Sequence, residues 1–268
     1  AVEHERPVGI FSVEMSSLQL VNRLIVSETE LASDKIRNGR LTHKEWDQLE
    51  TKIKKLVDAP IYIDDTPAIT VFELRSKCRR LKDQYNVEAV FVDYLQLMSG
   101  PGDHRGNREQ EVSIISRSLK GIAKELNIPI IALSQLNRSV EMRSGEKRPQ
   151  LSDLRESGAI EQDADMVLFI HRPERYGITE DGYGNSLIGI SEIIIAKHRN
   201  GALADIQLKF REELAKFEEL ESTSLGDFGD DEGSSMILSS RMNEEDQQDE
   251  DPSSGMSSNT SFDDEAPF

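Results

Sequence analysis

The alternation of short apolar runs with longer amphipathic stretches limits what this chain can fold into. Continuous apolar runs of this length, rich in β-branched residues, are typical of strands buried on both faces of a parallel sheet. Helical spacing fills the stretches 16–30, 70–84 and 110–126 between them. Strand–helix alternation predicts βαβ units and an α/β domain. The apolar runs are "VGIFSV" (8–13), "IYID" (61–64), "AVFVDYLQLM" (89–98), "IPIIALSQ" (128–135) and "MVLFIHR" (166–172).

The stretch 191–210 has a different pattern. Two further strands flank "RNG" (199–201), which is typical of a hairpin turn. Antiparallel strands added to the end of a mostly parallel sheet give a mixed-sheet α/β domain, and we expect this body to span residues 1–220.

The charge of the chain is concentrated at one end. The net charge is −18, but residues 221–268 hold 14 Asp and Glu against one Arg, which leaves only −5 for residues 1–220. The segment 221–268 is rich in Ser, Gly, Asp and Glu and poor in apolar residues, so we expect a disordered acidic tail. The overall acidity therefore does not exclude nucleic acid as a partner of the body.

The cysteine content and the hydropathy pattern bear on the compartment. Cys78 is the only cysteine, so no internal disulfide forms, and no run of 18 apolar residues exists. We expect a cytoplasmic protein with no membrane partner.

Polar side chains follow three of the predicted strands. Asp93 ends one apolar run, Glu14 follows the first, and Gln135 ends the fourth. Ligands of α/β sheets lie beyond the carboxyl ends of the strands. There Asp93 can hold Mg²⁺, Glu14 can orient or deprotonate a water, and Gln135 can hydrogen-bond a γ-phosphate. The alternative for Asp93 is a helix cap or a surface residue. For Glu14 it is a partner for the N-cap of a helix starting near Ser16, and for Gln135 it is a plain polar residue at a strand exit.

Several longer motifs resemble a known family. "IYIDDTPAITVFELRSKCRRL" (61–81), "VDYLQLM" (92–98), "LSQLNR" (133–138), "DLRESGAIEQDAD" (153–165) and "KHRNG" (197–201) resemble the C-terminal ATPase domain of replicative DnaB-type helicases. The resemblance covers about residues 6–217. It implies a RecA-like core, ATP and Mg²⁺ as cofactors, and a homo-hexameric ring. Such a ring moves 5′–3′ on single-stranded DNA, with a primase and a helicase loader as partners.

The resemblance also assigns roles by position. It makes Glu14 the catalytic glutamate, Asp93 the Walker B metal ligand and Gln135 the γ-phosphate sensor. It implies that Lys197 and Arg199 reach the nucleotide of the neighbouring subunit, where positive charge stabilises the transition state. Without the resemblance, these two are an exposed basic pair at a hairpin.

Two loops complete the implied site. The segments 98–110 and 137–158 resemble loops that line the central channel and track the DNA backbone. Within the second, the resemblance assigns phosphate contacts to Arg155, Glu156 and Gly158. Composition alone equally fits solvated flexible loops.

One required motif is missing from these residues. The family binds phosphates with G-x-x-x-x-G-K-[ST], and the 268 residues contain no such P-loop. In this fold it precedes the strand that ends near Glu14, so we expect it, with the family's N-terminal domain, upstream of Ala1. The alternatives are a non-catalytic remnant that binds replication partners and a different RecA-like recombination ATPase.

The last residues carry a further hypothesis. "FDDEAPF" (262–268) resembles the acidic tip of bacterial single-stranded-DNA-binding proteins, which docks into basic pockets of replication proteins. The alternative is an acidic tail that serves only solubility.

The missing motif leads to a prediction. We expect the 268-residue polypeptide by itself to show no DNA-stimulated ATP hydrolysis, because nothing in it can cradle the β- and γ-phosphates. Phosphate release from purified polypeptide measures this. An ATPase activity that disappears in Glu14→Gln would contradict the prediction.

Overall fold

A parallel sheet forms the first half of the fold. The computed structural model describes residues 1–100 and 108–220, without the side chains of 155–157. The predicted tail 221–268 and most of the first predicted loop lie outside the described residues. The strands are β1 (Val8–Ser12), β2 (Ile61–Asp64), β3 (Ala89–Asp93), β4 (Ile130–Ala132), β5 (Met166–His171), β6 (Ile190–His198), β7 (Ala204–Arg211) and β8 (Lys216–Glu219). The helices are α1 (Ser17–Thr29), α2 (Ser33–Asn38), α3 (His43–Asp58), α4 (Val71–Tyr85), α5 (Arg108–Leu126), α6 (Ser139–Met142) and α7 (Gly158–Asp163).

The first four strands pair in the order β2-β1-β3-β4, all parallel. Parallel neighbours need crossover connections, and helices provide them here. Strand β3 alternates buried Val90 and Val92 with partly exposed residues. The α/β class and the parallel sheet predicted from the sequence are confirmed.

The main core lies where helices α4 and α5 meet this sheet. Leu74 and Cys78 of α4 and Ile115 and Ile122 of α5 are fully buried in one cluster with the β3 valines. Burial raises the pKa of the Cys78 thiol to about 12, so this cysteine stays protonated and unreactive.

The remaining strands form a separate antiparallel sheet, β5-β6-β7-β8. The predicted hairpin around "RNG" is confirmed as the β6–β7 turn. The prediction that residues 166–172 belong to the parallel sheet is wrong, because β5 pairs antiparallel with β6. Only alternate side chains of β5, such as Val167 and Phe169, are buried. Such alternation is typical of a sheet with one covered face.

Strands β4 and β5 are each the last strand of their sheet. Ile131 of β4 is 39% exposed, and Leu168 and Ile170 of β5 are 50% and 58% exposed. Within the described residues, no strand pairs with the outer edge of either one. These apolar residues therefore lack the cover that the sequence pattern predicts.

The core packing leads to a stability prediction. Ile115→Ala should lower the free energy of unfolding by about 2–5 kcal/mol, because it removes buried methylene groups and leaves a cavity. Val57→Ala is the control: Val57 lies on α3 with 74% of its surface exposed, so the change should be about 0.5 kcal/mol or less. Urea unfolding curves of both variants test this, and equal midpoints would contradict the core assignment.

Candidate functional site: the carboxyl edge of the parallel sheet

The carboxyl ends of β1, β3 and β4 meet at one edge of the sheet. In the strand register Ser12 lies opposite Asp93, and Val92 lies opposite Ala132. Glu14 and Gln135 follow β1 and β4 within three residues. The three residues predicted from the strand tips are therefore placed along one edge.

Glu14 lies exposed between β1 and α1. The N-terminus of α1 is capped by Ser16 and Gln19, which form a reciprocal capping box. Its next backbone N–H, that of Ser17, donates to Asp65 at 2.7 Å, and this bond lowers the pKa of Asp65. The interpretation of Glu14 as the partner of this cap is therefore wrong, and its carboxylate is left for another role.

Asp93 is the last residue of β3 and is half-buried. Its carbonyl oxygen accepts the backbone N–H of Val13 at 2.7 Å. This bond fixes the chain just before Glu14 against the end of β3. Across residues 1–100 and 108–220, the carboxylates of Glu14 and Asp93 have no hydrogen-bond or ion-pair partner.

Gln135 is fixed through its main chain by a residue that sequence reasoning missed. The Gln96 side chain accepts the backbone N–H of Gln135 at 3.2 Å and donates to the Ser134 hydroxyl at 2.9 Å. Gln96 thus joins the loop after β3 to the loop after β4 and leaves the Gln135 side chain exposed. Its presence within the motif "VDYLQLM" was the available signal.

Lys197 and Arg199 belong to the other sheet. Lys197 is half-buried on β6 and donates to the carbonyl of Glu161, and Arg199 in the following turn donates to the carbonyl of Gln162 at 2.6 Å. Both cations therefore bind the carboxyl end of α7, which favours positive charge. No hydrogen bond or ion pair among the described residues joins them to Glu14, Asp93 or Gln135.

The predicted loop 137–158 is more ordered than expected. It contains α6 and a 3₁₀ segment over Leu151–Ser157 that leads directly into α7. Two of its arginines bind within the chain: Arg143 contacts Asp153 at 2.5 Å, and Arg148 pairs with Asp205 of β7. The side chains of Arg155 and Glu156 lie outside the described residues.

Gly158 is the first residue of α7 and is exposed. Its φ of −49° is open to any residue, and a Cβ added there meets no atom within 4 Å. Neither conformation nor internal packing requires glycine at this position. Close approach of a ligand to the backbone is another reason for glycine.

A cavity of about 500 Å³ lies beside α1, next to the strand edge. Met15, the residue after Glu14, lines it together with Arg172 and Phe210. The Arg172 guanidinium carbon lies 4.0 Å from the centre of the Phe210 ring. Sequence reasoning missed this pair, because Arg172 lies just after β5, Phe210 lies on β7, and the two share no motif.

The side chains at the site suit Mg²⁺ better than a metal ion that is coordinated entirely by protein side chains. Among the residues that the structure describes, no cluster of three or more His, Cys, Asp or Glu side chains can hold a metal ion. Mg²⁺ keeps several waters and is usually held by one or two carboxylates plus substrate phosphates. Asp93, at a strand tip with an unpaired carboxylate, matches that requirement.

The described helices do not cross a membrane. None of those within residues 1–100 and 108–220 is both long enough and apolar enough to span one.

The fold and its polar strand tips define an α/β domain of the class whose ligands lie beyond the carboxyl edge of a parallel sheet. Comparison with known proteins gives the family. The family described as "DnaB-like helicase C terminal domain" matches residues 1–219, and the chain belongs to it. Its core is RecA-like, as the motifs predicted.

Individual relatives agree with this assignment. The chain is 49% identical over 221 residues to the replicative DNA helicase DnaB of Geobacillus stearothermophilus, covering 82% of this chain and 47% of that protein. It is 48% identical to the replicative DNA helicase DnaC of Bacillus subtilis (strain 168), with the same coverage. The chain thus spans about half the length of these relatives.

Solved structures show the same fold. A DnaB-like replicative helicase, studied with its interactions with primase, superposes with a TM-score of 0.75 at 37% identity, covering 82% of this chain and 52% of that one. A second structure, of an ATPase domain, gives the same TM-score, identity and coverage of this chain, and 76% of its own length is covered.

The Gln96 bridge leads to a prediction. Gln96→Leu should accelerate hydrogen exchange of the Gln135 amide roughly fivefold, because the hydrogen bond from this N–H to the Gln96 side chain, worth about 1 kcal/mol, is lost. Gln48→Leu is the control: Gln48 donates to the Thr29 carbonyl at 2.6 Å, away from the strand edge. Amide exchange measured by NMR checks both variants. An unchanged Gln135 rate in Gln96→Leu would show that the bridge does not hold this loop.

Proposed function

We propose that this chain is the C-terminal part of the motor domain of a replicative DNA helicase. In this proposal the motor couples ATP hydrolysis to movement along single-stranded DNA in a homo-hexameric ring in the cytoplasm. The observation that carries the proposal is the pair of unpaired carboxylates, Glu14 and Asp93, on the tips of adjacent parallel strands. Family membership supports it, because the matched relatives are replicative helicases.

The two carboxylates divide the chemistry between them. Glu14, exposed and without a partner in the described chain, accepts a proton from the water that attacks the γ-phosphate, or orients that water. Asp93 holds Mg²⁺, which offsets the negative charge of the phosphates when bound. Gln135, on the loop that Gln96 fixes, hydrogen-bonds the γ-phosphate without adding charge.

The phosphates need a P-loop that these 268 residues do not contain. ATP binding of the kind the family uses therefore draws that motif from polypeptide outside them. Within the ring, Lys197 and Arg199 act on the ATP of the neighbouring subunit, where their charge stabilises the transferring phosphoryl group.

DNA contacts fall on the segment that enters α7. Gly158 exposes its backbone at the start of α7, and Arg155 and Glu156 precede it in the chain. Contacts from this segment to DNA phosphates would carry no sequence information. A primase is proposed as a partner, since one structural relative was solved with primase interactions in view. A helicase loader and docking through the acidic tip "FDDEAPF" remain predictions; the tip lies outside the described residues.

Sites shared between subunits lead to a prediction. In the ring that contains this chain and its P-loop, Glu14→Gln and Arg199→Ala should each lower DNA-stimulated kcat roughly 100-fold or more. Mixing the two inactive variants should restore activity, because some interfaces then combine an intact Glu14 with an intact Arg199. Steady-state phosphate release measures both effects.

Arg6→Ala is the matched control. Arg6 pairs with Glu88 at 2.6 Å at the opposite, amino edge of the sheet, so its loss should leave kcat unchanged. If mixed rings assemble but show no activity, the site is not shared between subunits. If the unmutated ring itself shows no activity, the chain is a non-catalytic remnant.

A further inference from the structure

The position of Arg199 depends on Asp165, a residue that none of the assignments above uses. The Arg199 backbone N–H donates to the Asp165 carbonyl at 2.9 Å, and its Nε lies 3.6 Å from Asp165 Oδ1. Asp165 therefore holds Arg199 by main chain and side chain together.

Asp165 is itself braced from another element. Its second carboxylate oxygen forms an ion pair with Lys120 of α5. The hydrogen bond from Lys120 lowers the pKa of Asp165, so the carboxylate stays ionised across the neutral range. Lys120 is largely covered, with 23% of its side chain exposed, whereas Arg199 is 48% exposed. The chain of contacts thus runs from a packed helix to an exposed guanidinium.

An exposed arginine at a hairpin turn has many rotamers. To act on a phosphate, its side chain must be held by other contacts in the rotamer that reaches that phosphate. Asp165 on Nε and the Gln162 carbonyl on Nη2 hold one edge of the guanidinium. A guanidinium has five N–H donors, so donors remain for a phosphate after these contacts.

We propose that Asp165 is a positioning residue, which orients Arg199 so that its guanidinium reaches the ATP bound by the adjacent subunit. This inference rests on the proposed function, since it takes Arg199 to act across the subunit interface. Asp165, which positions Arg199, is then separated from the proposed DNA contact at Gly158 only by the short helix α7.

The test uses the assembled ring that contains this chain and its P-loop. Asp165→Asn keeps the backbone bond and the shape but removes the charge. It should lower DNA-stimulated kcat roughly tenfold, since a misplaced catalytic group loses most of its effect. The KM for ATP should stay unchanged, because the lost interaction forms only in the transition state. Asp165→Glu should recover most of kcat.

Two further variants separate positioning from general damage. Glu88→Gln removes another partly exposed carboxylate–arginine pair, that with Arg6, and should leave kcat unchanged. Lys120→Met removes the brace without touching Arg199 and should lower kcat in the same direction by a smaller factor.

Mixed rings locate the effect. Glu14→Gln subunits should restore the activity of Asp165→Asn subunits, because their defects lie on opposite sides of an interface, whereas Arg199→Ala subunits should not. The proposed function fails if Glu14→Gln and Arg199→Ala do not complement each other. If they do complement, the role of Asp165 is overturned by an unchanged kcat in Asp165→Asn, by an equal loss in Glu88→Gln, or by restoration with Arg199→Ala.

Discussion

The parallel pairing of β1 with β3 is the constraint on which the candidate site depends. It places Ser12 beside Asp93, and the bond from the Val13 N–H to the Asp93 carbonyl extends the pairing past the end of β1. Glu14 follows at once, so two acidic residues 79 positions apart in the chain lie on neighbouring strand tips. A bound cation offsets the negative charge of carboxylates placed on neighbouring strand tips.

The second sheet contributes basic residues rather than carboxylates to the proposed function. Lys197 of β6 and Arg199 of the following turn donate to carbonyls at the carboxyl end of α7. The helix is short. Its first residue lies in the segment proposed to contact DNA, and its last carbonyls accept hydrogen bonds from Lys197 and Arg199. The helix has six residues, so its two ends are less than two turns apart.

The sequence predicted the elements of the fold better than their assembly. The helices over 17–29, 71–85 and 108–126 and the parallel strands follow from hydrophobic periodicity, which is a local property. Strand β5 was misplaced because a short apolar run has the same pattern in a parallel or an antiparallel sheet. Glu14, Asp93 and Gln135 were predicted as site residues because each lies at the end of a strand or within three residues of it. Gln96, Arg172 and Asp165 were not, since their importance comes from contacts between distant segments.

The uncovered outer edges of β4 and β5 have a consequence for how this polypeptide behaves outside its assembly. Within residues 1–100 and 108–220, each edge combines unpaired backbone groups with exposed apolar side chains, Ile131 on one and Leu168 and Ile170 on the other. Such edges are templates for pairing with any other extended chain. A cell that makes this polypeptide without a strand to cover them must rely on chaperones to prevent aggregation, and an overexpressed preparation is expected to enter inclusion bodies.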